Sequence, residues 1–183
     1  MHNGFVQVDN EKMSKSLGNF FTLKDIFAKY DPKAVRLFLI STHYRGPINF
    51  SDVQLEQAVQ TLRRINDFVF NLKTYTSNAK NHAALTKLLA KTKAEVEKAF
   101  ENDFEVPQAL GAIFDMMREA NKFIANKKIS IKDAMHILNQ LRSFDSVLGI
   151  LTEVDGETFI YVNIVSLIKE REDARKEKNF KKA

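Results

Sequence analysis

Four long stretches of the chain carry apolar side chains at helical spacing. The first stripe consists of Leu55, Ala58, Val59, Leu62, Ile65, Val69 and Leu72. Apolar residues three or four positions apart share one face of an α-helix. The same spacing recurs over residues 83–100, 107–125 and 130–148, and short polar segments separate the four stretches. This pattern predicts an up-and-down bundle of amphipathic helices.

Helix-capping residues stand before four of the predicted helices: Thr22, Asp31, Ser51 and Ser130. Thr22 and Ser130 are each followed three residues later by an aspartate, which is the spacing of a capping box. Gly149 ends the last helix of the predicted bundle. The inner face of that helix is predicted to carry Ile131, Ala134, Met135, Leu138, Leu141 and Leu148.

The two ends of the chain differ from the bundle. Residues 1–10 alternate briefly between apolar and polar positions, which predicts a short strand or hairpin arm. Residues 41–50 are interpreted as a polar and aromatic connector with a Gly-Pro break. A final helix is expected from about Tyr161, and its apolar stripe stops after Ile168. The predicted fold class is therefore mainly α, a helical bundle preceded by a short extended or β arm.

Charge is unevenly distributed along the 183 residues, whose formal net charge is +5. Residues 1–50 and residues 169–182 each carry seven Lys or Arg against four Asp or Glu, and the middle of the chain is nearly neutral. This distribution fits a polyanion that contacts selected surfaces, and it also fits an ordinary charged surface.

The composition favours neither a metal site nor a membrane-spanning helix. The chain has no cysteine, and its four histidines show no metal-ligand spacing, so no metal site is predicted. No apolar run approaches the roughly 20 residues that a membrane-spanning helix needs. A cytoplasmic location is the resulting expectation.

The lysine loop, residues 12–16 with the sequence Lys-Met-Ser-Lys-Ser, carries the most specific chemistry. Lys12 and Lys15 lie three residues apart, and ammonium groups at this spacing in a flexible loop can close over a polyphosphate. Ser14 and Ser16 can donate hydrogen bonds to the same oxygens. The spacing alone also fits an ordinary solvated loop.

Four further residues are candidates for contact with nucleic acid. Arg36 interrupts an otherwise apolar helix, where an arginine either contacts RNA or is a snorkelling or salt-bridged side chain. His43, Tyr44 and Arg45 follow in the connector, and an aromatic ring beside an arginine can stack on nucleic acid and neutralise it. The same group can equally pin a loop to the helical bundle, and both interpretations stay open.

Longer strings around these residues resemble the cysteinyl-tRNA synthetases. The lysine loop matches KMSKS, the nucleotide-loop signature of class I aminoacyl-tRNA synthetases. The strings Leu-Gly-Asn-Phe-Phe at 17–21 and His-Tyr-Arg-Gly-Pro-Ile-Asn-Phe-Ser at 43–51 are similar to those of the cysteine family. The opening residues 1–6 and the charged run at 170–180 resemble that family as well.

The resemblance implies an enzyme that activates cysteine with ATP and Mg²⁺ and transfers it to tRNA(Cys). By position, Lys15 would contact the ATP phosphates and stabilise the leaving pyrophosphate, and Lys12 would support the same loop as a second catalytic residue. Met13 would lie near the adenine through its backbone, while Ser14 and Ser16 would hold the shape of the loop. The implied partners are tRNA(Cys), ATP and cysteine, with no membrane partner, and a monomer is expected.

The resemblance also implies three parts of the chain. Residues 1–21 would be a remnant of the catalytic nucleotide-binding domain with the KMSKS loop. Residues 22–50 would form linker helices that touch the inner side of the tRNA, with Asp31 and residues 34–36 resembling an Asp-Ala-Leu-Arg signature. Residues 51–183 would form the tRNA-binding helical bundle, truncated at its C-terminus.

Two parts of the family pattern are missing from the sequence. The second ATP signature, His-x-Gly-His, does not occur, and the zinc site of the family needs cysteine ligands that this chain lacks. Zinc is therefore expected in a full-length parent without ligands from this chain. The chain is expected to be a C-terminal portion of a synthetase that is inactive alone. The alternatives are a fragment of a paralogous cysteine ligase acting on a small amine and a helical RNA-binding module.

Overall fold

The computed structural model describes residues 2–19 and 22–152. Its elements in chain order are β1 (Val6–Val8), β2 (Glu11–Lys12), α1 (Leu23–Phe27), α2 (Pro32–Ile40), β3 (Ile48–Phe50), α3 (Asp52–Lys73), α4 (Ala83–Glu101), α5 (Val106–Ala125) and α6 (Ile131–Leu148). The predicted mainly helical class is confirmed, and none of the described helices is long and apolar enough to cross a membrane. The final helix expected from about Tyr161 lies outside the described residues.

The predicted caps start their helices as expected. Thr22 and Ser130 form reciprocal capping boxes with the aspartates three residues later. The Asp31 carboxylate accepts the backbone N–H of Lys33 at 2.7 Å at the start of α2. Ser51 caps α3 in the same way through its hydroxyl. Local side-chain chemistry thus sets where these four helices begin.

The apolar faces of α3 to α6 meet in one hydrophobic core that also includes residues of α2. The stripe predicted on α3 is buried in this core at Leu62, Ile65 and Leu72, which are at most 4% exposed. The prediction for α6 is wrong at two positions, since Ile131 is 51% exposed and Met135 is 43% exposed. Both lie in the first turns of α6 on the side away from the core.

The N-terminal arm is part of a three-stranded sheet with the order β2–β1–β3. β1 and β2 form the predicted hairpin, and the turn residues Asp9 and Asn10 have φ values of 50° and 68°. β3 pairs with β1 in parallel, with Val6 opposite Ile48. The interpretation of residues 41–50 as connector only is therefore wrong for the last three residues, whose partner strand lies about 40 positions away.

α2 contributes to two hydrophobic clusters. Its residues Ala34 and Leu37 belong to the core of the helical bundle. Val35 and Phe38 point instead into a second, smaller cluster beside the sheet, where the ring of Phe38 meets that of Phe50 edge-on at 5.3 Å. This helix therefore packs against both the arm and the bundle.

Candidate nucleotide loop and nucleic-acid interface

The lysine loop leaves the sheet at the end of β2. The backbone N–H of Met13 donates to the carbonyl of Val6 at 3.2 Å, which extends the pairing with β1. A single 3₁₀ turn follows at Lys15–Leu17, and Gly18 ends it with a φ of 72°. A residue with a Cβ rarely adopts this left-handed conformation, so the glycine suits the exit of the loop.

Asn19 holds the two ends of the loop together, a role that the sequence analysis missed. Its side-chain oxygen accepts the N–H of Ser14 at 2.8 Å, and its amide group donates to the carbonyl of Lys12 at 3.2 Å. The hydroxyls of Ser14 and Ser16 lie 2.7 Å apart within hydrogen-bond distance. An asparagine directly after the turn glycine was the available signal, because its side chain can bond to nearby backbone groups.

Both lysines of the loop are exposed, whereas Met13 and Ser14 are half-buried. The ammonium group of Lys12 lies 5.1 Å from the centre of the Phe5 ring, which is itself 69% exposed. A cation over an aromatic face is held by the negative face of the ring. The loop thus presents two positive charges on a backbone whose two ends are bonded to Asn19.

The arm is fixed to the connector between α2 and β3 by a close backbone approach. The N–H of Gly4 donates to the carbonyl of Tyr44 at 2.7 Å. A Cβ placed on Gly4 would lie 2.0 Å from the carbonyl oxygen of Gly46. Only glycine fits at position 4 without a backbone shift, and the lysine loop is thereby placed relative to residues 43–46.

The connector residues His43, Tyr44 and Arg45 converge on Asp103 in the turn between α4 and α5, and we call these four residues the Asp103 clamp. The Tyr44 hydroxyl donates to Asp103 Oδ1 at 2.6 Å. The Arg45 guanidinium donates to both carboxylate oxygens, at 2.6 and 3.1 Å. The His43 ring nitrogen lies 3.1 Å from the Asp103 carbonyl oxygen.

The electrostatics of the clamp follow from these bonds. Hydrogen bonds from Arg45 and then Tyr44 lower the pKa of Asp103 to about 2. The bond to Asp103 raises the pKa of the Tyr44 hydroxyl and that of the Arg45 guanidinium. Asp103 therefore stays ionised and Arg45 stays charged across the neutral pH range. Two interpretations were offered for this group, and the structure shows the one in which it fixes the connector to the helical bundle.

The turn that carries Asp103 has an unusual backbone. Asp103 and Phe104 have φ values of 52° and 54°, in the left-handed region that residues with a Cβ seldom adopt. Phe104 is 52% exposed, so apolar burial does little to stabilise that conformation. The hydrogen bonds of the clamp hold the carboxylate that this turn presents.

Arg36 belongs to α2, and its side chain reaches the C-terminal end of α6. Its Nε donates to the carbonyl of Leu148 and its Nη2 to the carbonyl of Val147 at 3.2 Å. A cation there satisfies helix carbonyls and complements the negative end of the helix dipole. The ammonium of Lys33 adds a bond to the Gly149 carbonyl at 3.1 Å. Arg36 is thus bonded to main-chain carbonyls of α6, and its contact with RNA stays a prediction.

The resemblance implied zinc in a full-length parent, without ligands from this chain. The chain has no cysteine. Within residues 2–19 and 22–152, no three His, Asp or Glu side chains come together in a group that holds a metal ion.

Two family models match parts of the chain. The model described as "tRNA synthetases class I (C) catalytic domain" matches residues 1–60. The model described as "DALR domain" matches residues 95–152. The first range contains the lysine loop and three members of the clamp, and the second contains Asp103. The segment 31–36, which resembles the Asp-Ala-Leu-Arg signature, lies outside the second range and contacts it through Arg36.

Curated relatives match the chain over its whole length. It is 37% identical over 187 residues to a protein of Oceanobacillus iheyensis and 40% identical over 189 residues to one of Caldicellulosiruptor saccharolyticus, and both are named cysteine–tRNA ligase. The chain spans about 40% of the length of these relatives, in their C-terminal portion.

A solved structure, the ternary complex of an Agrobacterium radiobacter LeuRS with tRNA and LeuAMS, shares the fold. Its TM-score is 0.60 at 21% identity, over 81% of this chain and 20% of that one. The two family models that match parts of the chain describe domains of class I aminoacyl-tRNA synthetases, and the solved structure shares the fold. Over its whole length the chain is similar to the cysteine–tRNA ligases.

Proposed function

We propose that the chain supplies the KMSKS loop and the tRNA-contacting helices of an enzyme that activates cysteine with ATP and transfers it to tRNA(Cys). The observation that carries the proposal is the match of the whole chain, at 37% and 40% identity, to relatives named cysteine–tRNA ligase. That match favours this function over a ligase acting on a small amine and over a stand-alone RNA-binding module.

In this proposal the lysine loop contacts ATP. Lys15 binds the phosphates and stabilises the charge that develops on the leaving pyrophosphate, an electrostatic effect of a preplaced cation. Lys12 supports the same contact, and the backbone of Met13 lies beside the adenine. The bond between the hydroxyls of Ser14 and Ser16 keeps the loop in one shape. Mg²⁺ enters with ATP as part of the substrate.

The proposed division of the chain follows the same logic. Residues 1–21 belong to the nucleotide-binding part, 22–50 link it to the bundle, and 51–183 contact tRNA. The exposed guanidinium of Arg45 supports a contact with the tRNA backbone, because it can approach a phosphate while it remains bonded to Asp103. The same proposal places Arg36, His43 and Tyr44 along the tRNA, and the protein acts as a monomer.

Exchange of pyrophosphate into ATP in the presence of cysteine tests the function. Residues 1–183 alone are expected to show no exchange, because the second ATP signature and the zinc ligands are absent from the chain. The same residues joined to the preceding portion of the Caldicellulosiruptor saccharolyticus relative are expected to catalyse it. Exchange by residues 1–183 alone, or none by the joined protein, contradicts the proposal.

Lys15→Ala in the joined protein is expected to lower the rate of exchange by a factor on the order of 100, because a positioned cation acts mainly in the transition state. The matched control is Lys24→Ala, since Lys24 is also exposed but lies in α1. Equal rates for the two variants would show that Lys15 has no part in activation.

A further inference from the structure

β2, the strand that leads into the lysine loop, lies at one edge of the three-stranded sheet. Its inner side pairs with β1, where Lys12 stands opposite Gln7, and the N–H of Met13 continues the pairing to the carbonyl of Val6 at 3.2 Å. The backbone groups of successive residues in a strand point to opposite sides of it. The carbonyl of Lys12 and the N–H of Ser14 therefore point to the outer side, away from β1.

The side chain of Asn19 occupies this outer edge. Its Oδ1 accepts the N–H of Ser14 at 2.8 Å, and its Nδ2 donates to the carbonyl of Lys12 at 3.2 Å. A carboxamide offers the same kinds of acceptor and donor as a peptide group. Asn19 therefore pairs with the backbone just before Lys15 in the way that a neighbouring strand would.

A single 3₁₀ turn brings the chain back to this edge. The N–H of Leu17 donates to the carbonyl of Ser14 at 3.2 Å, and the N–H of Gly18 donates to the carbonyl of Lys15 at 3.3 Å. The φ of 72° at Gly18 then directs the chain toward Asn19. The backbone around Lys15 is thus bonded on both sides, through Ser14 to Asn19 and through its own carbonyl to Gly18.

The bond between the hydroxyls of Ser14 and Ser16 differs from those of Asn19. It joins two side chains that are two positions apart, at 2.7 Å, and both belong to the loop itself. Asn19 bonds instead to main-chain groups of the strand that is paired with β1. The placement of Lys12 and Lys15 relative to the sheet therefore depends on Asn19.

We propose that Asn19 is a positioning residue for ATP activation, which holds Lys12 and Lys15 in place before ATP binds. The proposal rests on the proposed function, in which Lys15 contacts the phosphates. A cation stabilises developing charge best when it is in place beforehand, because no binding energy is then used to order its loop. Asn19 itself contacts no substrate and acts through Lys15.

The matched control for a substitution of Asn19 is Asn49→Ala. Both asparagines are half-buried. Asn49 accepts the N–H of Asn10 at 2.9 Å, and its amide group donates to the Asn10 side chain at 2.9 Å. Asn49→Ala therefore removes two hydrogen bonds of similar kind from the same sheet, at the hairpin turn and outside the lysine loop.

The first measurement is hydrogen exchange of the Ser14 amide, followed by NMR in the 183-residue chain. Asn19→Ala is expected to speed this exchange by about tenfold, because the amide loses its acceptor. Asn49→Ala should change it by less than about twofold, and far-UV circular dichroism verifies that both variants keep their helices. Equal exchange of the Ser14 amide in Asn19→Ala and in the unchanged chain overturns the proposal.

The second measurement is the exchange of pyrophosphate into ATP by the joined protein. Asn19→Ala is expected to lower kcat by about tenfold, since a small misplacement of a catalytic group has a large effect on rate. The KM for ATP should change by less than about threefold, because the lysines act mainly in the transition state. Asn49→Ala should leave both constants close to those of the unchanged joined protein, and an equal loss of kcat in the two variants overturns the proposal.

A double substitution shows whether Asn19 acts through Lys15. Lys15→Ala/Asn19→Ala is expected to have the kcat of Lys15→Ala within about twofold, because no lysine is left at position 15 for Asn19 to place. An asparagine that only stabilises the fold would lower the rate by its full factor in either background. A further tenfold loss in the double variant therefore overturns the proposal.

The two measurements separate this role from the proposed function. Absence of cysteine-dependent exchange in the joined protein without substitutions refutes the function, and the Ser14 amide then decides whether Asn19 holds the loop. Normal exchange of pyrophosphate with an unchanged kcat in Asn19→Ala refutes the positioning role and retains the function.

Discussion

Asp103 receives three hydrogen bonds at its carboxylate, all from the adjacent residues Tyr44 and Arg45. Tyr44 lies 59 positions and Arg45 58 positions before Asp103, so the clamp connects the segment before β3 with the turn between α4 and α5. The side chain is 46% exposed, and solvent screens its charge. Asp103 contributes to the fold mainly by position, because Tyr44 and Arg45 fix the place of the turn between α4 and α5.

The clamp predicts a particular pH dependence of stability. The folded-state pKa of Asp103 is about 2, below the ordinary aspartate value of 3.8. A depressed carboxylate pKa contributes stability that is fully present above the unfolded-state pKa and is lost as pH falls through the folded-state pKa. Denaturant unfolding between about pH 5 and pH 2 should show the free energy of unfolding of the chain decreasing as pH falls. Asp103→Asn should make that decrease smaller.

The control for that experiment is Asp115→Asn, whose carboxylate is exposed and pairs with Arg118 within α5. Below pH 4, the slope of the free energy of unfolding against pH should be closer to that of the unchanged chain for Asp115→Asn than for Asp103→Asn. If Asp103→Asn and the control give the same slope, the clamp does not hold the Asp103 carboxylate in solution.

At the scale of elements, the end of α6 shows how one helix supports another. Gly149 has a φ of 63°, and its N–H donates to the Asp145 carbonyl at 2.8 Å. Asp145 Oδ1 accepts the next two backbone N–H groups, at 2.6 and 2.8 Å. The guanidinium of Arg36 from α2 covers the last carbonyls of α6. The last carbonyl groups of α6 are therefore hydrogen-bonded both by residues next in sequence and by a residue of a distant helix.

Gly149→Ala is expected to destabilise the chain by roughly 1–2 kcal/mol, because alanine resists the left-handed conformation. A Cβ at this position would also lie 3.0 Å from Arg36 Nε, which adds to the cost. Chemical denaturation measures the change. In an Arg36→Ala background the glycine substitution should cost only the backbone part, and an unchanged cost there would show that Arg36 does not crowd position 149.

Elements that depend on neighbouring residues were predictable, and those that depend on distant ones were not. Thr22, Ser51 and Ser130 predicted helix starts because a cap bonds within three residues. β3 was missed since a three-residue strand exists only through its parallel partner. Asp103 was missed for the same reason, as nothing near it in sequence indicates Tyr44 and Arg45.

In the candidate site, too, features set by neighbouring residues were predictable and features set by distant residues were not. The residues of the lysine loop were identified from the string itself. The fixing of its ends by Asn19 and of its arm by Gly4 emerged only from the three-dimensional contacts. The predicted inner face of α6 was wrong at Ile131 and Met135, because periodicity does not say where the packing partner of a helix begins.

For the whole molecule, α2 and α3 each contribute buried residues to both hydrophobic clusters. Leu37, 2% exposed, packs in the bundle, and Phe38, 5% exposed, packs beside the sheet. The described residues up to Leu151 form one compact unit. A helix buried on both sides couples the two clusters, so we expect the arm and the bundle to unfold together.

Leu37→Ala and Phe38→Ala are each expected to cost roughly 2–5 kcal/mol, since each removes a large buried side chain from a packed cluster. Both variants should lower the midpoint of a single unfolding transition. Far-UV circular dichroism reports the helices, and hydrogen exchange of β1 and β3 amides reports the sheet. Loss of the sheet well before the helices in Phe38→Ala would show that the clusters are independent.

The parallel pairing of β1 with β3 has a consequence for synthesis on the ribosome. The lysine loop is translated before β3, yet the strand that leads into it cannot acquire its parallel neighbour until Ile48–Phe50 have been made. Phe5 and Val6, at least 39% exposed even in the folded chain, stay without that neighbour for the intervening 40 or so codons. The strand before the lysine loop thus keeps one open edge until β3 has been made, and slow translation through residues 20–50 prolongs the interval in which that edge can meet another chain.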